Sequence, residues 1–225
     1  MPATTPEPER QVLKKIPLPP LKRGFDLAFS GGLLLLTAPF FLLALLGIFL
    51  EHLLTGHPKA PLFYQETRFS QGEPFCLRKF NIFKPGVVEA LRARGVVVQT
   101  KLLEWDGHSL SFMGRLLQKS YLDELPQLLN ILTGDMSTVG PRPRNSLVYQ
   151  EGMAKGEFFR ARLKAGLTGV VQSRKGTPGM DMDRQAELDW EYLGFVASNP
   201  PLRVLCYDLG LMWRTFRLII KAKGF

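Results

Sequence analysis

Residues 27–50 read LAFSGGLLLLTAPFFLLALLGIFL, 24 consecutive positions without a charged side chain. A hydrocarbon core about 30 Å thick needs roughly 20 helical residues. A core helix of a soluble protein rarely stays apolar on every side over such a length. The run is therefore read as a helix inserted in a membrane. Pro39 lies in its middle, where a missing N–H and the clash of the ring with the preceding turn predict a break. Each half is about 12 residues, roughly 18 Å, too short to cross alone. Two topologies follow: a kinked spanning helix, or a re-entrant helix–break–helix that returns to the face it entered. A cleaved signal peptide is not indicated, because acidic residues (Glu7, Glu9) and a PLPP stretch precede the run and no small-x-small site follows it. Residues 1–20 read as a disordered Pro-rich tail.

The flanks add orientation. Lys14, Lys15, Lys22 and Arg23 precede the run, which favours a cytoplasmic N-terminus. At the other end of the 225-residue chain, Arg203, Tyr207, Gly210, Arg214, Arg217 and Lys221 recur at helical spacing. Leu205, Leu209, Met212, Phe216 and Ile219 lie away from that stripe. Such a helix suits the interface of an anionic membrane or the surface of a protein core, and periodicity does not choose between them.

The formal net charge of +9 calls for an anionic partner: nucleic acid, phosphorylated substrate or acidic lipid. No nucleic-acid module signature or interleaved basic–aromatic surface is present. Two cysteines, Cys76 and Cys206, stand far apart in apolar surroundings and read as small buried residues in a reducing compartment. His52, His57 and His108 have no ligand spacing, which argues against a transition-metal site. PLFYQETRF and FCLRKF, separated by SQGEP, read as a β-hairpin.

Chemistry concentrates in SYLDELPQLLNILTGD, residues 120–135. Pro126 belongs in a first helical turn. Either Asp123 is the N-cap, or Ser120 caps with Asp123 as its capping-box partner; Gly134 then ends the helix. In both readings Asp123 and Glu124 stand at a helix N-terminus, where phosphate is favoured. Two carboxylates beside a phosphate repel it unless a cation intervenes, and Mg²⁺ suits that oxygen set. Capping chemistry alone would also explain the pair. Downstream, Pro141 and Pro143 hold Arg142 on a stiff extended strut, with Arg144 pointing to the same side. A rigid arginine clamps phosphate bidentately.

Taken with KRGFDLAFSGGLLLLTAPF, PLFYQETRFSQGEPFCLRKF, GRLLQKSYLDELPQLLNILTGDMSTVGPRP and KAGLTGVVQ, these residues give a chain that resembles the bacterial sugar transferase family, the monotopic polyprenyl-phosphate phosphoglycosyl transferases, in minimal catalytic-core form. The resemblance covers most of residues 21–220. It implies a re-entrant membrane helix at 21–54 and a catalytic domain over 55–225 on the cytoplasmic face of a bacterial inner membrane. It implies transfer of sugar-1-phosphate from a UDP-sugar to polyprenyl phosphate with release of UMP, through a covalent phosphosugar on Asp123. Glu124 would support Mg²⁺, Arg142 would hold phosphate, and Lys79, Arg68, Arg115 and Arg144 are further candidate phosphate contacts. The expected fold is helix-dominated α/β, with the re-entrant helix broken at Pro39, a small β-hairpin and interfacial amphipathic helices. Expected partners are the UDP-sugar, polyprenyl phosphate and an anionic membrane surface, with a homodimer left open and nucleic acid not expected.

The pattern is departed from at Asn81, where Lys-Phe-Arg is usual in the family, at Gln118 (often arginine) and at Tyr121 (often serine). Residues 84–108 match poorly. Two rivals are a non-enzymatic, membrane-anchored basic module binding acidic lipid or nucleic acid, and a Mg²⁺-dependent lipid-phosphate hydrolase.

Overall fold

A computed structural model describes residues 14–95 and 100–221. The apolar run lies inside a single helix, α1 (Pro20–Leu54). The expected break at Pro39 leaves no gap in the helical residues. A proline removes one donor from the ladder, and the helix continues across it. The side chains of α1 that meet protein are few: only 11% of its most apolar window is buried. Leu35, Leu36, Phe40, Leu42 and Leu43 are exposed.

After α1 comes the expected hairpin, β1 (Phe63–Ser70) and β2 (Glu73–Phe80). Gln71 and Gly72 both have positive φ, 54° and 81°. That is the backbone twist a two-residue hairpin loop requires, and Gln71 bears the steric strain that Gly72 avoids. The chain continues as α2 (Val87–Ala93), α3 (Thr100–Trp105), α4 (Phe112–Lys119), a 3-10 turn (Leu122–Glu124), α5 (Gln127–Thr133), β3 (Ser137–Val139), β4 (Arg144–Asn145), α6 (Ser146–Ala154), α7 (Phe159–Arg162), β5 (Gly166–Thr168), α8 (Met182–Ser198) and α9 (Pro201–Ile220). The sheets are small: one has the order β2-β1-β4, and in the other β3 runs parallel to β5. The helix-dominated α/β class expected from sequence holds.

The described residues fall into two compact units. The first holds residues up to Gly31, Glu66–Leu77 and those from Leu129 onward. Its core is Val139, Phe159, Leu163, Val170, Leu188, Tyr192, Leu193 and Leu211. The first turns of α1 are tied into it by polar side chains. Lys22, 5% exposed, forms a buried ion pair with Asp208 of α9 and donates to the Val139 carbonyl at 3.1 Å. Tyr192 donates to the same Asp208 at 2.8 Å. Asp26 accepts the Thr138 N–H at 3.0 Å, and Arg23 donates to the Ile131 and Leu132 carbonyls at 2.6 and 2.8 Å.

Removing one partner of a buried pair leaves the other charge unsatisfied. Asp208→Ala should therefore destabilise the first unit by about 3–5 kcal/mol in denaturant unfolding. An unchanged midpoint would mean that the pair carries no stability.

The expected tail is shorter than 20 residues at its C-terminal end. Ile16 packs against the same core, its N–H donates to the Arg162 carbonyl at 2.9 Å, and its carbonyl accepts from Gln71 at 2.7 Å. Residues 1–13 of that expectation lie outside the described residues.

The second unit holds Gly32–Gln65 and Arg78–Leu128. Its core joins Ala44 and Ile48 of α1 to Tyr64, Phe80, Ile82, Phe83, Val88, Leu110 and Leu117. Glu51, near the end of α1, accepts the Phe112 and Met113 N–H groups at 2.7 and 2.9 Å. Together with the Ser111 cap on Gly114, this satisfies the free donors that open α4.

The C-terminal helix α9 has two apolar faces. Val204 and Leu211 are buried, whereas Leu202, Leu209, Trp213, Phe216 and Ile220 are exposed on the other side beside the basic stripe. The cysteines differ from expectation: Cys76 and Cys206 are both exposed, on the outward sides of β2 and α9.

Candidate active site

The carboxylate pair belongs to the second unit. The chain leaves α4 at Ser120, which closes that helix by donating its hydroxyl to the Leu116 carbonyl at 2.9 Å and so is not the N-cap of the next one. Tyr121 follows in the left-handed region, φ 58°, a conformation costly for a bulky side chain. This turns the backbone into the 3-10 segment that carries Asp123 and Glu124. Pro126 has no N–H to give, so the α-helical ladder opens only at Gln127 and ends, as expected, before Gly134 at φ 86°. Both carboxylates thus precede helix α5 in a tighter turn, where the sequence placed them in its first turn. Both capping alternatives are corrected.

Asp123 is buried, 5% exposed. Lys79, from the end of β2, meets both acids: its Nζ is 2.7 Å from Glu124 Oε1 and 3.6 Å from Asp123 Oδ2. Burial is the strongest influence on Asp123 and pushes its pKa up to about 7. Lys79 opposes this, while Glu124 and Glu104 reinforce it. The ion pair and the raised pKa pull in opposite directions, and burial prevails because Lys79 is closer to Glu124. An aspartate in this setting needs added positive charge to stay ionised at neutral pH.

The pair of hard oxygen donors, already converging on an ammonium, fits Mg²⁺. Among the described residues no group of three or more His, Cys, Asp or Glu side chains gathers as a metal cage. Mg²⁺ is commonly held by one or two carboxylates together with substrate phosphates. Glu104 of α3 was not singled out from the sequence. It lies in the stretch of poor resemblance, and no motif marks it.

Of the other candidates in this unit, Arg115 is exposed and reaches the Leu110 carbonyl at 3.4 Å. Asn81, standing where arginine is usual, turns into the fold. Its Nδ2 donates to the Pro61 carbonyl at 2.9 Å and its Oδ1 accepts the Phe83 N–H at 3.2 Å.

Arg68, Arg142 and Arg144 belong to the first unit. Antiparallel pairing sets Phe69 opposite Arg144 and Arg68 opposite Asn145. Arg68 is bound to Glu66 at 2.6 Å and reaches the Pro143 carbonyl at 3.4 Å, fastening the Pro-Arg-Pro strut. Arg160 of α7, which the sequence gave no reason to select, is buried and donates to the Arg142 carbonyl at 3.2 Å and to Glu157 at 2.9 Å. Arg144 donates to Gln185 at 3.1 Å. Burial, followed by the positive charges of Arg160 and Arg142, pulls the Arg144 pKa down to about 10. Three guanidinium groups are thus crowded around one strut, a field that favours an anion.

Asp189 of α8 lies under this cluster, 3.9 Å from Arg160. Burial pushes its pKa up to about 7 despite the attraction of Arg160 and Arg144. A folded-state pKa raised above the unfolded value near 4 contributes stability below about pH 4 that is lost as pH rises through about 7. Asp189→Asn should flatten the pH dependence of unfolding across that window. Parallel wild-type and variant curves would show that Asp189 is ionised throughout.

A long, exposed apolar helix suggests membrane association, and the second unit carries a carboxylate pair, Asp123 buried and Glu124 half-buried, that shares one lysine. The profile of the bacterial sugar transferases matches residues 18–222, and the chain belongs to that family. It is 33% identical over 205 residues to a sugar transferase, EpsL, of Bacillus subtilis, covering 91% of this chain and 89% of that one. It is 34% identical over 215 residues to the exopolysaccharide production protein ExoY of Rhizobium meliloti, covering 90% and 87%. With a UDP-glucose:undecaprenyl-phosphate glucose-1-phosphate transferase of Caulobacter vibrioides it shares 35% identity over 182 residues, 75% of this chain and 61% of that longer protein.

Proposed function

We propose that this protein is a phosphoglycosyl transferase that moves sugar-1-phosphate from a UDP-sugar to polyprenyl phosphate, an early membrane step in exopolysaccharide or related glycoconjugate synthesis. The observation that carries the reading is Asp123, a buried carboxylate set beside Glu124 and Lys79 in a chain of this family. An Asp123 oxygen attacks the sugar-bearing phosphorus of the donor, forming an acyl phosphate to the sugar-phosphate and breaking the bond to UMP, which leaves with the bridging oxygen. A polyprenyl-phosphate oxygen then attacks the same phosphorus, and the Asp123 carboxylate is regenerated. Mg²⁺ bound at Asp123 and Glu124 would neutralise the charge of the diphosphate. The Arg142 strut, braced by Arg68 and Arg160, holds phosphate, with Arg144 beside it. A hydrolase would transfer to water instead, and a purely binding module has no use for a buried aspartate beside a second acid.

The membrane arrangement follows the same reading. The first turns of α1 end in Lys22, Arg23 and Asp26, bonded to protein, and its last turns carry Glu51, also bonded to protein. On this reading α1 is re-entrant: its middle dips into one leaflet and returns, and the carboxylate site faces the cytoplasm, where nucleotide sugars are. The exposed apolar side chains Phe112 and Leu116 of α4 and Leu209, Trp213 and Phe216 of α9 lie at the interface, with Arg214, Arg217 and Lys221 toward anionic headgroups.

UMP release from a panel of UDP-sugars, measured in nanodiscs with and without polyprenyl phosphate, tests the proposal. Lipid-dependent release with at least one donor is expected. Release that is equal without lipid would point to hydrolysis.

A further inference from the structure

We propose that Lys79 competes with Mg²⁺ for the carboxylate pair, so that metal and donor bind together and not in sequence. The inference rests on the reading of Asp123 and Glu124 as the metal-holding acids. Lys79 Nζ bonds Glu124 Oε1 at 2.7 Å and stands 3.6 Å from Asp123 Oδ2, so one ammonium faces an oxygen of each acid. The Lys79 side chain is 17% exposed and that of Asp123 8%, leaving little water to screen a second cation placed beside the first. The two cations therefore exclude one another from these oxygens.

Lys79 can yield because its backbone is fixed in β2 while its four-carbon stem pivots. What it needs is another anion. A diphosphate supplies that partner and, in the same event, the oxygen ligands that a two-carboxylate site lacks. Lys79 thus has two partners in turn. It keeps the acids together and charge-balanced while the site waits, and moves to phosphate when metal and donor arrive. The consequence is positive coupling between Mg²⁺ and nucleotide, of which Lys79 is the physical carrier.

The test is Mn²⁺ binding to the full chain in phosphatidylcholine nanodiscs, read from the electron paramagnetic resonance signal of free Mn²⁺, without and with UDP. Lys79→Met should bind Mn²⁺ about fivefold or more tightly than wild type in the absence of UDP. Lys79→Arg, which keeps the charge, should stay weak. UDP should tighten binding to wild type far more than to Lys79→Met. Equal or weaker Mn²⁺ binding by Lys79→Met would overturn the competition. Adding Asp123→Asn to the Met variant separates the two levels of the argument. If Asn weakens Mn²⁺ binding while Lys79→Met matches wild type, only the competition fails. Binding indifferent to Asn removes the metal site itself and the competition with it.

Discussion

Asp123→Asn protein should fold, stay with the membrane and release no UMP above background, a loss of at least about a thousandfold. The substitution preserves volume, and because Asp123 already sits where burial favours its neutral form, it removes charge the fold does not need. In the proposed mechanism, what it removes is the attacking oxygen. Losing the nucleophile of a covalent mechanism typically costs orders of magnitude more than losing a supporting contact. Glu124→Gln should be less damaging and should be rescued in part by higher Mg²⁺, because on the proposed metal site one carboxylate would remain to hold the cation. UMP release per folded protein, with circular dichroism and sedimentation of membranes as controls, checks both. A tenfold or smaller loss in Asp123→Asn would assign the attack to another group.

Gly140→Ala should destabilise the first unit by about 3 kcal/mol or more. A Cβ built there would stand 2.1 Å from the Lys164 carbonyl oxygen, which belongs to backbone and cannot rotate away. Gly140 donates to the Thr168 carbonyl at 2.9 Å, and Gly166 donates to that of Pro141 at 2.9 Å, so the two chains are zipped at this point. The neighbouring Gly166 would clash equally, its Cβ falling 2.0 Å from the Gly140 nitrogen. Overpacking against backbone costs more than against a flexible side chain. Arg142 is two residues on, so any protein that still folds should also lose donor affinity, with KM rising more than kcat falls. Thermal melting and a donor titration read the two effects. Wild-type stability in Gly140→Ala would contradict the close approach.

The elements read most directly from sequence were those fixed by local rules. The hairpin announced itself through FYQETRF and FCLRKF and a short polar turn, and the long helix through 24 uncharged positions. Gly134 marked the end of α5. The start of that helix was misplaced because Pro126 is compatible with a first turn but equally with a 3-10 turn before it; the left-handed Tyr121 decided the matter, and no residue type announces that.

Asp123, Glu124 and Arg142 were singled out through motif resemblance and Lys79 through the Lys-Phe-Asn stretch; the structure brings Lys79 to the two acids. Their supports were not legible in the sequence. Arg160, Glu157 and Asp189 brace the strut from α7, the turn before it, and α8, at distances along the chain that no periodicity encodes. Asn81 was legible only as a missing arginine. Its two hydrogen bonds show a side chain that pins the end of the hairpin. The outward-facing cysteines and the two apolar faces of α9 show the same limit, since hydropathy reports that a residue is apolar but not which surface covers it.

The central claim is a covalent sugar-phosphate on Asp123. The direct measurement is mass spectrometry of the protein after a brief incubation with UDP-glucose or another UDP-sugar and Mg²⁺, without lipid acceptor, followed by acid quench and peptide mapping. The account predicts a sugar-phosphate adduct on the peptide bearing Asp123, absent from Asp123→Asn and discharged when polyprenyl phosphate is added. Turnover with lipid but no adduct at any time, with Asp123→Asn still active, would contradict it.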